Sequence, residues 1–263
     1  MQTQTASYVP TPVQQCGPYW AKRDDLFEVA GVRGGKARTC LELAVLAREC
    51  GYKGLTTASS RKSPQVSIVA HVAQYLGMAA RIHVPAARGK LTPEIADAQQ
   101  HGADILFHPY GHNSVIISRA KRDASEHGYF YIPFGMECVA AVVYTGEQVA
   151  NLVGVPFRRI VVPVGSGMSL AGILHGLIRY RIAVPVLGIT VGADPRKRLQ
   201  RYAPFHWASM VKLVPSQLDY GWAVADQPEW PYFPLDEIYE RKCLPYLQDG
   251  DLLWVVGIRT SQG

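Results

Sequence analysis

The stretch Arg158–Tyr180, RRIVVPVGSGMSLAGILHGLIRY, decides the fold. Its first apolar run reads as a buried strand, Gly165 and Gly167 interrupt it, and the residues that follow repeat apolar side chains at helical spacing. No residue from Ile160 to Ile178 carries a fixed charge, which is long enough for a membrane span. Pro163, four glycines and two serines break that run, so the reading is strand, loop and helix, and no membrane association is expected. A strand passing through a glycine loop into a helix is the repeating unit of open parallel α/β sheets, and such loops are where those sheets bind ligands.

The same alternation extends in both directions. KGLTTAS and ARIHVPA are strand-like runs around PQVSIVAHVAQYLGM, a helix with Pro64 suited to its first turn. LTPEIADAQQHG and ADILFHPY repeat the unit, with Pro93 opening a helix and Gly102 closing it. NSVIISRAKRDASEHG reads as a helix ended by Gly128, YFYIPFG as a strand, ECVAAVVYTGEQVANLVG as a helix and PVLGITVG as another strand. Near the end, PLDEIYERKCLPYLQDG is a helix candidate and DLLWVVGIRT a buried strand. With no repeat and no low-complexity linker, a second domain has to be formed by a chain that leaves and returns.

Composition narrows the class without choosing the chemistry. A chain of 263 residues, 48% hydrophobic and 18% charged, is an ordinary folded protein of one large or two smaller domains. Its net charge of +6 favours anionic ligands, but the basic residues are scattered, and only Asp194–Tyr202, DPRKRLQRY, is dense enough for a phosphate-facing patch. Five cysteines without a C-x-x-C pair or a histidine at metal spacing suggest a reduced, cytoplasmic protein with no metal site. The first residues show neither a basic start nor an apolar run, so no secretory signal is expected.

Two short segments carry the chemistry. Glycines in VGSGMSLAG, Val164–Gly172, let backbone amides approach a phosphate, the helix start adds a favourable dipole, and Ser166 and Ser169 can donate hydroxyl bonds. The spacing is neither that of a P-loop nor that of a dinucleotide fold. Taken alone, the loop reads equally as a tight turn or as a phosphate cup. In VRGGKART, Lys36 follows two glycines, either as an exposed lysine beside a turn or as an amine placed to form a Schiff base with a carbonyl cofactor.

KRDDLFEVAGVRGGKART, Lys22 to Thr39, resembles the K-R-D-D-L and G-G-N-K-x-R-K segments of fold-type II pyridoxal-phosphate enzymes, particularly the aminocyclopropanecarboxylate deaminase and D-cysteine desulfhydrase family. TTASSRKSPQVSIVAHVAQYLGM, YIPFGM, VGSGMSLAG, LDEIYERKCLPYL and LLWVVGIRTSQG resemble further segments of that family in the same order, across residues 22 to 263. The resemblance implies a tryptophan synthase beta-like α/β fold of two open twisted parallel-sheet domains with a cofactor cleft between them. The large domain would hold residues 1–50 and 150–263, the small one 51–149. Pyridoxal 5'-phosphate would be bound by Lys36 as Schiff base and by a cup of Gly165, Ser166, Gly167, Met168 and Ser169. Ser63 falls on the family's active-site serine and Thr260 on a threonine near the pyridine ring. Tyr220 lies in the family's tyrosine loop, where it serves either as acid or base or in packing.

The chain also departs from that pattern. Pro64 stands where the family has an asparagine, Gly35 where another precedes the lysine, Met168 where the cup usually has glycine, and Ser59 and Ser60 where two glycines are usual. His108 and His112 flank a turn and match no motif. Asp24 and Asp25 suit a role in fixing the chain's entry to the lysine segment.

The implied activity is a lyase or deaminase acting through an α-carbanion on a small amino acid, in a homodimer. Two alternatives stay open. One is the same cofactor chemistry, as decarboxylation or elimination, on an amino-acid group attached to a modified DNA base, as suggested for phage-encoded relatives; Arg61, Lys62 and PRKRLQR favour it. The other is a non-catalytic homologue, for which Pro64 and Met168 argue.

Overall fold

The computed structural model describes residues 9–86, 91–109, 112–225 and 229–257. Contacts divide the chain into two compact units, one made of the segment through Phe27 and the segment from Cys138 onward, the other of Glu28–Glu137. The chain begins in the first unit with a hairpin, β1 (Val13–Cys16) and β2 (Tyr19–Arg23). It then forms the second unit from β3 (Glu28–Val29), β4 (Val32–Arg33), α1 (Gly35–Glu49), β5 (Gly54–Ala58), α2 (Gln65–Tyr75), β6 (Ala79–Pro85), α3 (Pro93–Gln100), β7 (Asp104–His108), α4 (Asn113–His127) and β8 (Phe130–Ile132). It returns through α5 (Val139–Glu147), β9 (Arg159–Val164), α6 (Met168–Arg179), β10 (Val186–Thr190), α7 (Arg196–Tyr202), α8 (Trp207–Met210), β11 (Val211–Pro215) and β12 (Asp251–Val255).

The first unit carries a six-stranded sheet in the order β1-β2-β12-β9-β10-β11. Only the β1–β2 pair is antiparallel. β12 is buried along its whole length and lies between β2 and β9, which is why its sequence is a continuous apolar run and not an alternating one. Pro163 is tolerated inside β9 because the register with β12 ends at Leu253↔Val161. The Ile160 amide reaches Pro185 O on the β10 side, so the odd-numbered positions face β12, and proline's missing N–H falls where no partner remains. A buried lysine fixes the opening hairpin: the Lys22 ammonium donates to the Thr11 carbonyl and to Asn151 Oδ1, 2.8 Å away. Asp24 and Asp25 are also buried, the former accepting from Thr11 Oγ1 and the latter paired with Arg23 at 2.8 Å.

The second unit is a four-stranded, wholly parallel sheet in the order β7-β6-β5-β8. α2 has nine buried residues, Gln65 through Ala73, so this helix is a core element, entered at Pro64 with helical φ −60° and ψ −15°. α4 ends as expected, with Gly128 in the left-handed region (φ 66°, ψ 36°). No described helix is long and apolar enough to cross a membrane.

Three features differ from the sequence expectation. The opening hairpin, VQQC and YWAKR, mixes polar and apolar residues without a strand period. The Pro234–Gly250 segment forms a 3-10 turn at Glu240–Tyr246 in place of an α-helix, since Pro245 removes a donor inside it. Finally, α1 packs on α2, so residues 28–50 group with Glu28–Glu137 and not with the N-terminal segment assigned to the large domain.

Candidate active site

In the second unit, Lys36 is the second residue of α1. The tight β3–β4 hairpin, turning at Ala30 (φ 52°) and Gly31 (φ 81°), delivers the chain to Gly34, whose φ of 95° and ψ of 177° suit glycine alone. Gly34 is the N-cap, and its carbonyl accepts the Ala37 amide at 3.0 Å. The two glycines therefore turn a hairpin into a helix and place a half-buried lysine in its first turn.

Ser63 follows the carboxyl end of β5, the ligand-binding edge of a parallel sheet, and is 9% exposed. Its Oγ accepts the Gln65 amide at 3.3 Å, which leaves its own proton as a donor for a ligand. Pro64 removes the asparagine, and Gln65 does not replace it. The Gln65 Nε2 donates to Thr57 Oγ1 and to the Pro133 carbonyl, and its Oε1 accepts the Gly135 amide at 2.9 Å. That amide ties β5 to the turn after β8.

In the first unit, Gly165, Ser166, Gly167, Met168 and Ser169 connect β9 to α6. Gly167 is the N-cap, at φ 89° and ψ −4°. Met168 is 3% exposed, so its side chain enters the core while its amide stays at the helix start, 3.5 Å from Ser166 Oγ. A methionine in place of glycine therefore does not fill the cup. A Cβ on Gly165 would lie 3.0 Å from Tyr239 Cε1, and one on Gly167 would lie 3.1 Å from Pro195 Cβ. A cavity of about 230 Å³ opens beside Pro195, lined by Thr190, Gly192, Leu213 and Pro215 at the carboxyl ends of β10 and β11.

Tyr239 was not singled out by the sequence reading, and the structure joins it to Tyr220. The Tyr239 hydroxyl donates to Tyr220 Oη at 3.3 Å, and the two rings meet edge to face at 6.1 Å. Asp236 Oδ1 accepts the Ile238 and Tyr239 amides and fixes this turn, while the Lys242 ammonium holds the Asp219 carbonyl at 2.7 Å, next to Tyr220. The cue for Tyr239 was its place in the LDEIYERK segment. Glu240, the next residue, is wholly buried; its Oε1 accepts the Val256 amide, and its Oε2 has no partner among the described residues. Burial, reinforced by Asp236, raises its pKa well above the usual carboxylate range.

The structure thus brings the cup, Tyr220 and Tyr239 together in one unit and sets Lys36 and Ser63 in the other. Thr260 lies outside the described residues. Of the two histidines noted beside the turn, His108 is engaged in a side-chain network. His108 Nε2 and His83 Nδ1 are 2.8 Å apart, His83 Nε2 is 3.1 Å from Asp123, and Arg119 bonds the far side of His108; His112 is exposed. Burial lowers the pKa of both His83 and His108. Burial acts to raise that of Asp123, but the hydrogen bonds from Arg81 and His83 outweigh it, and the net shift is downward.

Two open, mainly parallel α/β units, one with a glycine cup at a helix start and the other with a lysine at a glycine-led helix start, define the fold-type II class of cofactor enzymes. The chain belongs to the family described as pyridoxal-phosphate dependent enzymes, whose model matches residues 5–222. Comparison with curated proteins finds no match. Among solved structures, an ACC deaminase homologue aligns with a TM-score of 0.81 at 21% identity, over 95% of this chain and 89% of the other. The processed form of threonine deaminase isoform 2 from Solanum lycopersicum aligns at 0.70 and 14% identity, over 97% and 82%. An O-ureido-L-serine synthase aligns at 0.69 and 16%, over 96% and 90%. These likenesses establish the fold.

The residues present fit the family's cofactor. Helix-start amides, serine hydroxyls and glycines with no room for a Cβ suit a phosphate group, and a lysine amine suits an aldehyde.

Proposed function

We propose that this enzyme is a lyase or deaminase acting on a small free amino acid, with Lys36 as the covalent anchor of pyridoxal phosphate. The observation that carries the reading is the cup itself: a left-handed Gly167 at the α6 start, with Gly165 against Tyr239, which in turn bonds Tyr220. When bound, the cofactor supplies an electron sink for charge developing at a substrate α-carbon. The amides of residues 167–169 and the serine hydroxyls would hold its phosphate. Ser63 would donate to the substrate carboxylate, and Lys36, once exchanged for the substrate amine, would carry a proton to or from the α-carbon. Tyr220, its hydroxyl 3.3 Å from that of Tyr239, would donate to a leaving group.

The test is an absorbance spectrum of the purified protein, with and without borohydride, beside Lys36→Ala. A band near the visible edge, abolished by borohydride with the pyridoxyl group left on Lys36 by mass spectrometry, is expected. A protein that stays colourless when pyridoxal phosphate is added overturns the assignment of Lys36. Release of ammonia and a keto acid from a panel of amino acids then reads the reaction.

One observation favours a second reading, in which the amino-acid group is carried on a modified DNA base. Arg196, Lys197 and Arg201 are exposed on α7, and Phe205, 98% exposed, follows directly. Cations interleaved with an exposed ring suit a nucleic-acid strand. Binding to DNA that weakens steeply with salt supports this reading, and binding that is absent at low salt removes it.

A further inference from the structure

The second unit holds a cluster that the proposed reaction does not use. His71 on α2, Asp97 on α3 and His101 at the α3 C-cap place one ligand atom each within 4.8 Å of one another. The sequence shows no metal spacing because His71 comes from a different helix.

The hydrogen bonds around His71 are unbalanced. Its Nδ1 lies 2.7 Å from the Ala30 carbonyl, which can only accept, so Nδ1 carries a proton. Its Nε2 then faces Asp97 Oδ2 at 2.9 Å, a carboxylate oxygen with no proton to give. Lone pair meets lone pair unless a positive charge stands between them. A second proton on His71 would meet that need, and so would a cation shared with the adjacent His101. The His101 ring is stacked on His71 at 3.5 Å, with Nδ1 3.4 Å from the other Asp97 oxygen, and it has to turn out of that stack to aim its lone pair at an ion held in the His71 ring plane. An ion 2.0–2.1 Å from tetrahedral ligands needs ligand atoms roughly 3.3 Å apart, close to both separations. His101 can release its present bond to the Asp97 carbonyl at little cost, because its own backbone amide donates to the same oxygen at 3.1 Å.

We propose that His71 Nε2, the Asp97 carboxylate and His101 Nδ1 bind a divalent cation of the zinc class. Two imidazoles and one carboxylate, one imidazole held by a backbone carbonyl, are the donor set and outer support that zinc favours. His101 caps α3 four residues after Asp97, and His71 is 6% exposed, so the ion would clip α2 to the end of α3 from a half-sheltered position. It would also polarise the His71 Nδ1–H bond to Ala30, in the turn that leads to Gly34 and Lys36. The site stands independently of which reaction the enzyme performs.

The probe is zinc chloride, titrated into the full, chelator-stripped chain against a chromophoric chelator, with melting followed in parallel. One equivalent per chain is expected, with zinc raising the melting temperature. Asp97→Asn and His101→Ala are expected to bind at least about tenfold more weakly and to lose the shift, whereas Cys50→Ala, which removes the exposed thiol, changes nothing. His101 is partly exposed at a helix end, so that variant reports even where a change at Asp97 fails to fold. Equal uptake by parent and variants, uptake lost with Cys50→Ala alone, or no uptake with both His71 ring protons visible in nitrogen-15 spectra would each overturn the site.

Discussion

Replacing Gly167 by alanine tests the cup at the atom where fold and chemistry meet. The residue sits at φ 89° and ψ −4°, a conformation that costs an L-residue about 1–2 kcal/mol, and its new Cβ would lie 3.1 Å from Pro195 Cβ, closer than ordinary contact. The chain can relieve this strain by returning to negative φ, which swings the following amides away from the helix axis. The strain is then felt where those amides are proposed to hold phosphate, so pyridoxal phosphate should bind about 5–30-fold more weakly, the ratio that 1–2 kcal/mol corresponds to. Gly176→Ala is the control. Its Cβ would meet the Gly146 carbonyl and Val149 at 2.5 Å between α5 and α6, away from the cup, so it should lower the melting temperature with little change in cofactor affinity. Cofactor titration and melting of the cofactor-free protein separate the two. Gly167→Ala binding the cofactor within about twofold of the parent would refute the cup, since that difference is under half a kcal/mol.

Other consequences follow from single contacts. Tyr220→Phe removes the proton proposed for the leaving group, so kcat should fall about 10²–10⁴-fold with cofactor affinity retained, and an unchanged kcat would leave Tyr220 as packing. Gln65→Ala strips partners from the Gly135 amide and the Pro133 carbonyl, and denaturant unfolding should show a loss of about 2–4 kcal/mol. His83 and His108 both have pKa values lowered by burial, so the folded state resists their protonation. The stability of their neutral pair is complete above the ordinary histidine value of 6.5 and is lost as pH falls below it. His108→Gln should flatten the acid decline of the melting temperature, and an undiminished decline would place the acid sensitivity elsewhere.

The legible parts of the fold were those where one physical demand acts locally. β9, β12 and the α2 region announce themselves because full burial removes alternation, and Gly128 and Gly34 because the backbone needs positive φ there. The opening hairpin was not legible. VQQC pairs with YWAKR through backbone hydrogen bonds at a sheet edge, where side chains carry little signal, and the deciding partner of Lys22 is Asn151, far along the chain. The tail was misread for a related reason. The segment around Pro234–Gly250 has a helical period, but it is Asp236 capping two amides and Pro245 withholding a donor that shape it into a short 3-10 turn.

The departures from the family pattern separate the same way. Met168 looked damaging in sequence because a side chain was counted at a position that needs only an amide; the structure turns that side chain inward, so the cup keeps its donors. Pro64 is different, for proline has no side-chain amide to redirect, and the neighbouring Gln65 is committed to the β5–β8 turn. One loss is thus conformational and already absorbed, while the other is chemical and persists. An enzyme that keeps its phosphate cup but lacks one polar support near its serine should retain cofactor affinity better than it retains the family's substrate preference. For that reason the proposed activity is best read with a broad panel of free amino acids and not with one substrate alone.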